Sequence, residues 1–161
     1  FAVCNEAENT LSELISYLET NSENIKNIND LIKIKGLCFK PSDLNEEEKN
    51  NFDYVVVTEK REFIKNLDDL PIAKHDLLPV KKYWAPILNN YVFIETSRGC
   101  PYKCIFCRQG VMYEWKYRIR SAKSLFDEVM LLHKLGVDRI MFHADTFTVN
   151  QKIVFVLVPS F

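Results

Sequence analysis

The chain has 161 residues and a formal net charge of −1, with 47% hydrophobic and 27% charged residues. That composition is globular rather than disordered, and the near-neutral balance excludes the broad basic field of a nucleic-acid binder. The longest apolar run, Ile153 to Pro159, falls far short of the roughly 20 residues a membrane-spanning helix needs, and no signal-peptide pattern opens the chain.

Taken in order, Ala2-Val3-Cys4 reads as the end of a buried strand. Leu11, Leu14, Ile15 and Leu18 then recur at the spacing of an amphipathic helix over 10–19. The amide-rich stretch from Thr20 to Asp30 reads as a loop. Leu37-Cys38-Phe39 and Tyr54 to Val57 form two short β-type runs around the polar segment Lys40 to Asp53. That pattern predicts a hairpin with a long loop. Asp68 to Tyr83, with Pro71 and Pro79, reads as an extended connector that Pro86 continues.

From Asn90 the text changes. Tyr91 to Thr96 is rich in aromatic and β-branched residues, as a strand requires. Ser121 suits a helix N-cap, and Leu125, Phe126, Val129 and Leu132 mark a helix to Leu135. Gly136 stands where a C-terminal glycine cap belongs. Arg139 to Phe142 is a second buried strand. Strand, loop, helix, strand is a βαβ unit, whose strands pair in parallel through a right-handed crossover. Functional groups in such sheets gather at the carboxyl ends of the strands. Cys100 follows the first strand and Asp145 the second, so one rim can carry both.

Cys100, Cys104 and Cys107 are spaced C-x3-C-x2-C. A tight thiol trio is a ligand set for a soft metal or an iron–sulfur cluster. A structural zinc site has four protein ligands. No cysteine follows Cys107, so an iron–sulfur cluster here keeps one iron free of cysteine. The zinc alternative takes a fourth ligand such as His143 or Asp145. Gly99 gives the loop backbone latitude and Pro101 stiffens it. Arg98, Lys103 and Arg108 favour the thiolate form, or form a solvated loop surface. Cys4 and Cys38 lie among apolar residues and read as buried small hydrophobes. His75, His133 and His143 read as structural or exposed, with His143 at the same rim as the trio. Arg118 and Arg120 suit an anion or the surface.

The block Glu95 to Cys107, with Arg120-Ser121 and Asp145 to Thr148, resembles the signature text of radical S-adenosylmethionine (SAM) enzymes. It is most similar to the branch in which a cobalamin-binding domain comes first, and Asn5 to Leu11 resembles the tail of that domain. The resemblance implies an α/β fold. The expected order is the remnant of a Rossmann-like cobalamin-binding domain over 1–35, a β-hairpin and extended connector over 36–88, and the start of a (βα)6 partial TIM barrel over 89–161. It implies a [4Fe-4S] cluster on Cys100, Cys104 and Cys107, with SAM chelating the fourth iron. Reductive cleavage of SAM then starts radical chemistry, with methyl transfer and cobalamin as the branch's associations. Phe106 is expected against the SAM adenine. Asp145 is expected to receive the SAM amino group, although Ala144 stands where the branch commonly has a second acid. A reductant such as flavodoxin or ferredoxin, an unknown small-molecule substrate and a cytoplasmic location are further expectations. So is a fragment that cleaves SAM weakly or not at all by itself. Another radical SAM class such as a methylthiotransferase, or a non-catalytic zinc or iron–sulfur electron-transfer module, remains the alternative.

Overall fold

The computed structural model describes residues 1–21, 28–41, 54–82, 84–85, 88–89 and 91–151. Most of the expected polar loop, from residue 42 to 53, and the apolar run 153–159 lie outside them. The chain divides into two compact units, Phe1–Ile64 and Lys65–Phe161. Among the described residues no helix is long and apolar enough to cross a membrane.

In the first unit, strand β1 (Ala2–Val3) leads to helix α1 (Glu8–Thr20) and the single turn α2 (Ile28–Leu31). Strands β2 (Leu37–Phe39) and β3 (Val56–Val57) complete an antiparallel sheet in the order β1-β2-β3. The expected hairpin is therefore present, although its second strand is shorter than the apolar run suggests. Leu14, Leu31, Ile34, Leu37 and Phe39 form the core, with Tyr17, Leu18, Ile28 and Val56 against it. Leu11 and Ile15 are not part of it, each 45% exposed. Within this unit α2 and three short strands cover only the Leu14–Leu18 stripe of α1, which is narrower than its apolar face. Two threonines tie the turn before β2. Thr10 Oγ1 donates to the Lys35 carbonyl at 2.8 Å, and Thr58 Oγ1 donates to the Ile34 carbonyl at 2.7 Å while accepting from the Leu37 amide at 2.9 Å. Cys4 and Cys38 are half-buried rather than buried, and their sulfurs are 3.0 Å apart.

The second unit opens with three single 3-10 turns, Leu67–Asp69, His75–Leu77 and Val80–Lys82, where the sequence reads as an extended connector. A β4–β5 pair follows (Trp84–Ala85 and Leu88–Asn89). Strand β6 (Tyr91–Glu95) then pairs in parallel with β9 (Arg139–His143), running from Tyr91↔Arg139 to Glu95↔His143. Between them come β7 (Ser97–Arg98), helix α3 (Gln109–Tyr113), β8 (Arg118–Ile119) and helix α4 (Ala122–Lys134). No sheet among the described residues closes into a barrel. Ser121 caps α4 by accepting from the Ser124 amide, and Gly136 follows the helix at φ +77°, as expected.

Strand alternation sends Val92 and Ile94 under α4, where they meet Val80, Leu125, Leu132 and Val137. A polar network runs beside this core. Buried Glu128 takes His75 Nε2 at 2.7 Å on one oxygen and Arg120 Nη1 on the other. Arg120 also donates to the Glu95 carbonyl at 3.1 Å and to Ser124 Oγ at 2.9 Å. Arg120 is thus engaged inside the fold rather than spread on the surface, and His75 is buried, as a structural histidine would be.

Glu128→Ala would leave the Arg120 charge and the His75 ring buried without their acceptor. Removing one partner of a buried ion pair costs about 3–5 kcal/mol. Urea unfolding of the full chain is expected to show a loss of that order. A loss below about 1 kcal/mol, the range of exposed pairs, would contradict this view of the network.

Candidate metal centre

The site grows from the carboxyl ends of β6 and β9. Because the strands are parallel, both chains leave the sheet at the same rim. The pairing continues one step beyond β6, where the Thr96 amide donates to the His143 carbonyl at 2.9 Å. Thr96 is fully buried, and its own carbonyl accepts from the Arg120 amide at 2.9 Å. Next, β7 pairs with β8, Ser97 opposite Ile119 and Arg98 opposite Arg118. This short ladder closes the base of the loop that carries all three cysteines of the motif.

Inside that loop Gly99 has φ +77°, and a Cβ there would lie 2.1 Å from the Lys116 carbonyl oxygen. Only glycine fits both the left-handed conformation and the close backbone approach. Gly110 is as constrained for a different reason, since a Cβ there would lie 2.0 Å from the Trp115 ring. Trp115 and Glu114 both have positive φ, at 59° and 50°. Two consecutive non-glycine residues in that region are held there by surrounding structure, which here includes the Trp115 ring packed on Gly110.

Asp145 lies two residues beyond β9 and grips the loop at both ends. Its Oδ2 accepts from the Gly99 amide at 3.0 Å, and its Oδ1 accepts from Gln109 Nε2 at 2.6 Å. Beside it, Thr146 Oγ1 is 3.2 Å from Cys100 Sγ. The rim expected from the sequence thus brings Asp145 and Cys100 together. Gln109 and Thr146 are partners that sequence reading misses. Each acts across 36 or 46 residues, a separation that leaves no periodic signal.

Cys100 is buried, Cys107 half-buried and Cys104 exposed. The Cys107 amide donates to the Cys104 carbonyl at 3.0 Å, turning the chain between them. Among the described residues no three His, Cys, Asp or Glu side chains converge closely enough to hold a metal ion. The donor chemistry nonetheless fits a soft cluster: three thiols in one loop with pinned ends. Ile105 is fully exposed and Phe106 is 88% exposed, so the loop carries two large apolar side chains uncovered beside its thiols. Of the three cations near the motif, Arg98 is engaged, its Nε donating to Glu95 Oε2 at 2.8 Å. Lys103 and Arg108 are exposed. Phe93, Glu95 and His143 line a shallow cavity of about 360 Å³ on the sheet face opposite α4, with the Phe93 and His143 rings edge to face at 6.2 Å. Arg118 lies over the Tyr113 ring at 5.6 Å.

Residues 94–158 match the family model of the radical SAM superfamily. A radical SAM superfamily domain therefore covers part of the chain, from the end of β6 through the cysteine loop, α4 and β9. An uncharacterized methyltransferase of Pyrococcus horikoshii is 34% identical over 148 residues, which cover 91% of this chain and 28% of the relative. An anaerobic magnesium-protoporphyrin IX monomethyl ester cyclase of a Synechocystis species is 30% identical over 155 residues, 95% of this chain and 27% of the relative. A hopanoid C-3 methylase of Methylococcus capsulatus is 32% identical over 75 residues, 47% of this chain and 15% of the relative. The chain spans little more than a quarter of the length of the first two.

The two-ended grip of Asp145 has a direct readout. Hydrogen bonds to a charged group contribute about 1.5–3 kcal/mol, and each 1.4 kcal/mol is about tenfold in an equilibrium. Asp145→Ala is therefore expected to speed hydrogen exchange at the Gly99 amide by roughly tenfold to a hundredfold. Asp145→Asn, which keeps an acceptor, is expected to fall between. Unchanged exchange in Asp145→Ala would show that the loop is held by other contacts.

Proposed function

We propose that this chain is the cluster-binding start of a radical SAM enzyme of the cobalamin-associated branch. Cys100, Cys104 and Cys107 are the three thiolate ligands of a [4Fe-4S] cluster in this reading. The observation that carries it is a three-thiol loop at the carboxyl rim of a parallel strand pair, anchored at both ends by Asp145. When bound, such a cluster supplies one electron to the sulfonium of SAM and so opens radical chemistry at an unactivated carbon.

The chain's own residues bind and orient. A carboxylate has about four acceptor positions. Two of those on Asp145 hold Gly99 and Gln109, and the remainder are available to the SAM ammonium. The exposed Phe106 ring offers an apolar face to the flat adenine. Relatives named as a methyltransferase and a hopanoid methylase bring methyl transfer to the front as the reaction of the whole protein. Cobalamin enters through the resemblance of Asn5 to Leu11. A flavodoxin or ferredoxin as electron donor, a small-molecule substrate and a reducing cytoplasm complete the proposal.

Anaerobic reconstitution with iron and sulfide tests it. The chain is expected to take up about four irons and four sulfides. Cys100→Ala, Cys104→Ala and Cys107→Ala should each lose the cluster, while Cys4→Ala and Cys38→Ala should keep it. Stoichiometric zinc without sulfide would contradict the proposal.

A further inference from the structure

Cys4 and Cys38 lie in the first unit and play no part in the metal centre proposed above. Their contact follows from the register of β1 and β2. Ala2 is opposite Cys38 and Val3 opposite Leu37, and the Cys4 amide donates to the Gly36 carbonyl at 2.8 Å. Cys4 therefore faces Gly36, and Cys38 stands one diagonal step away on the same face. Gly36 has no side chain to fill that diagonal. The two sulfurs meet across it at 3.0 Å, and both cysteines are half-buried, so a small reagent can reach them.

We infer that Cys4 and Cys38 form a dithiol site that a low-molecular-weight disulfide of the glutathione class oxidises to a cross-link between β1 and β2. The chemistry balances as two exchanges. The Cys4 thiolate attacks one sulfur of the reagent, forming a Cys4 mixed disulfide and releasing one thiolate. Cys38 then gives up its proton and attacks Cys4 Sγ, forming the Cys4–Cys38 bond and releasing the second thiol. Two cysteine thiols are oxidised, and one reagent disulfide is reduced to two thiols.

The hydrogen bond to Cys4, with burial and the neighbouring sulfur's charge adding to it, pushes the Cys38 thiol up to about 11. Cys38 thus gives up its proton less readily than a free thiol. Diagonal neighbours in an antiparallel sheet are about 7–8 Å apart at Cα, just beyond the separation a disulfide usually spans. Closing the last ~1 Å between the sulfurs therefore needs a shift of β1. That strand pairs with β2 through two residues only, so the shift breaks few ladder contacts.

The test treats the full chain with glutathione disulfide, quenches with acid and maps the peptides by mass. The wild-type chain is expected to give a linked Cys4–Cys38 peptide pair lighter by two hydrogens and restored by dithiothreitol. Cys38→Ser and Cys4→Ser should each stop at a glutathione adduct on the cysteine that remains. The link should also close at least tenfold faster in the folded chain than in urea. Since either serine could disturb the short sheet, the wild-type map decides. Separate glutathione adducts without the link, unreacted thiols at both positions, or a link that closes no faster in the folded chain than in urea would each overturn the inference.

Discussion

The parallel pairing of β6 with β9 is the constraint on which the proposed metal centre depends. Register Glu95↔His143, extended by the Thr96 amide to the His143 carbonyl, makes both strands end at one level. Asp145 and Thr146 then stand beside Gly99 and Cys100, although 46 residues separate each pair. A one-residue slip would turn the apolar faces of Val92 and Ile94 away from α4 and carry Asp145 away from the loop. The core and the site are therefore set by the same ladder.

Around that ladder the molecule holds the cysteine loop from three directions. The β7–β8 bridge closes its base. Asp145 holds its beginning at Gly99 and the residue after its last thiol segment, Gln109. From the helix side, Arg120 joins the Glu95 carbonyl to Glu128 and, through Glu128, to His75. The middle of the loop, where Cys104, Ile105 and Phe106 are exposed, is turned by the bond from the Cys107 amide to the Cys104 carbonyl. A loop with fixed ends and an uncovered apolar middle is suited to closing around a group that supplies its own bulk. That is the physical sense in which the proposed cluster suits three thiols without a fourth.

Much of this was legible in the sequence because it is written locally. The β-branched run in β6, the Ser121 cap and the Gly136 stop belong to neighbouring residues, and all three stand where local rules put them. The cysteine spacing is local too. Long-range pairings were not legible. Nothing near His75 announces that its ring ends on Glu128, and the connector's prolines conceal three helical turns whose side chains Leu67 and Val80 are buried. Leu11 and Ile15 have the correct helical spacing but lie outside the covered stripe, because periodicity gives the face and not the width of what packs on it. Cys4 and Cys38 look like isolated apolar cysteines until register brings their sulfurs together.

The central claim is that the thiol trio leaves one iron of a cluster open to SAM. Mössbauer spectroscopy of the iron-reconstituted full chain, recorded before and after SAM is added, addresses that iron directly. The account predicts that SAM shifts the signal of a single iron and leaves the cysteine-bound irons unchanged. A spectrum that SAM leaves untouched, with all irons in equivalent sulfur environments, would contradict it.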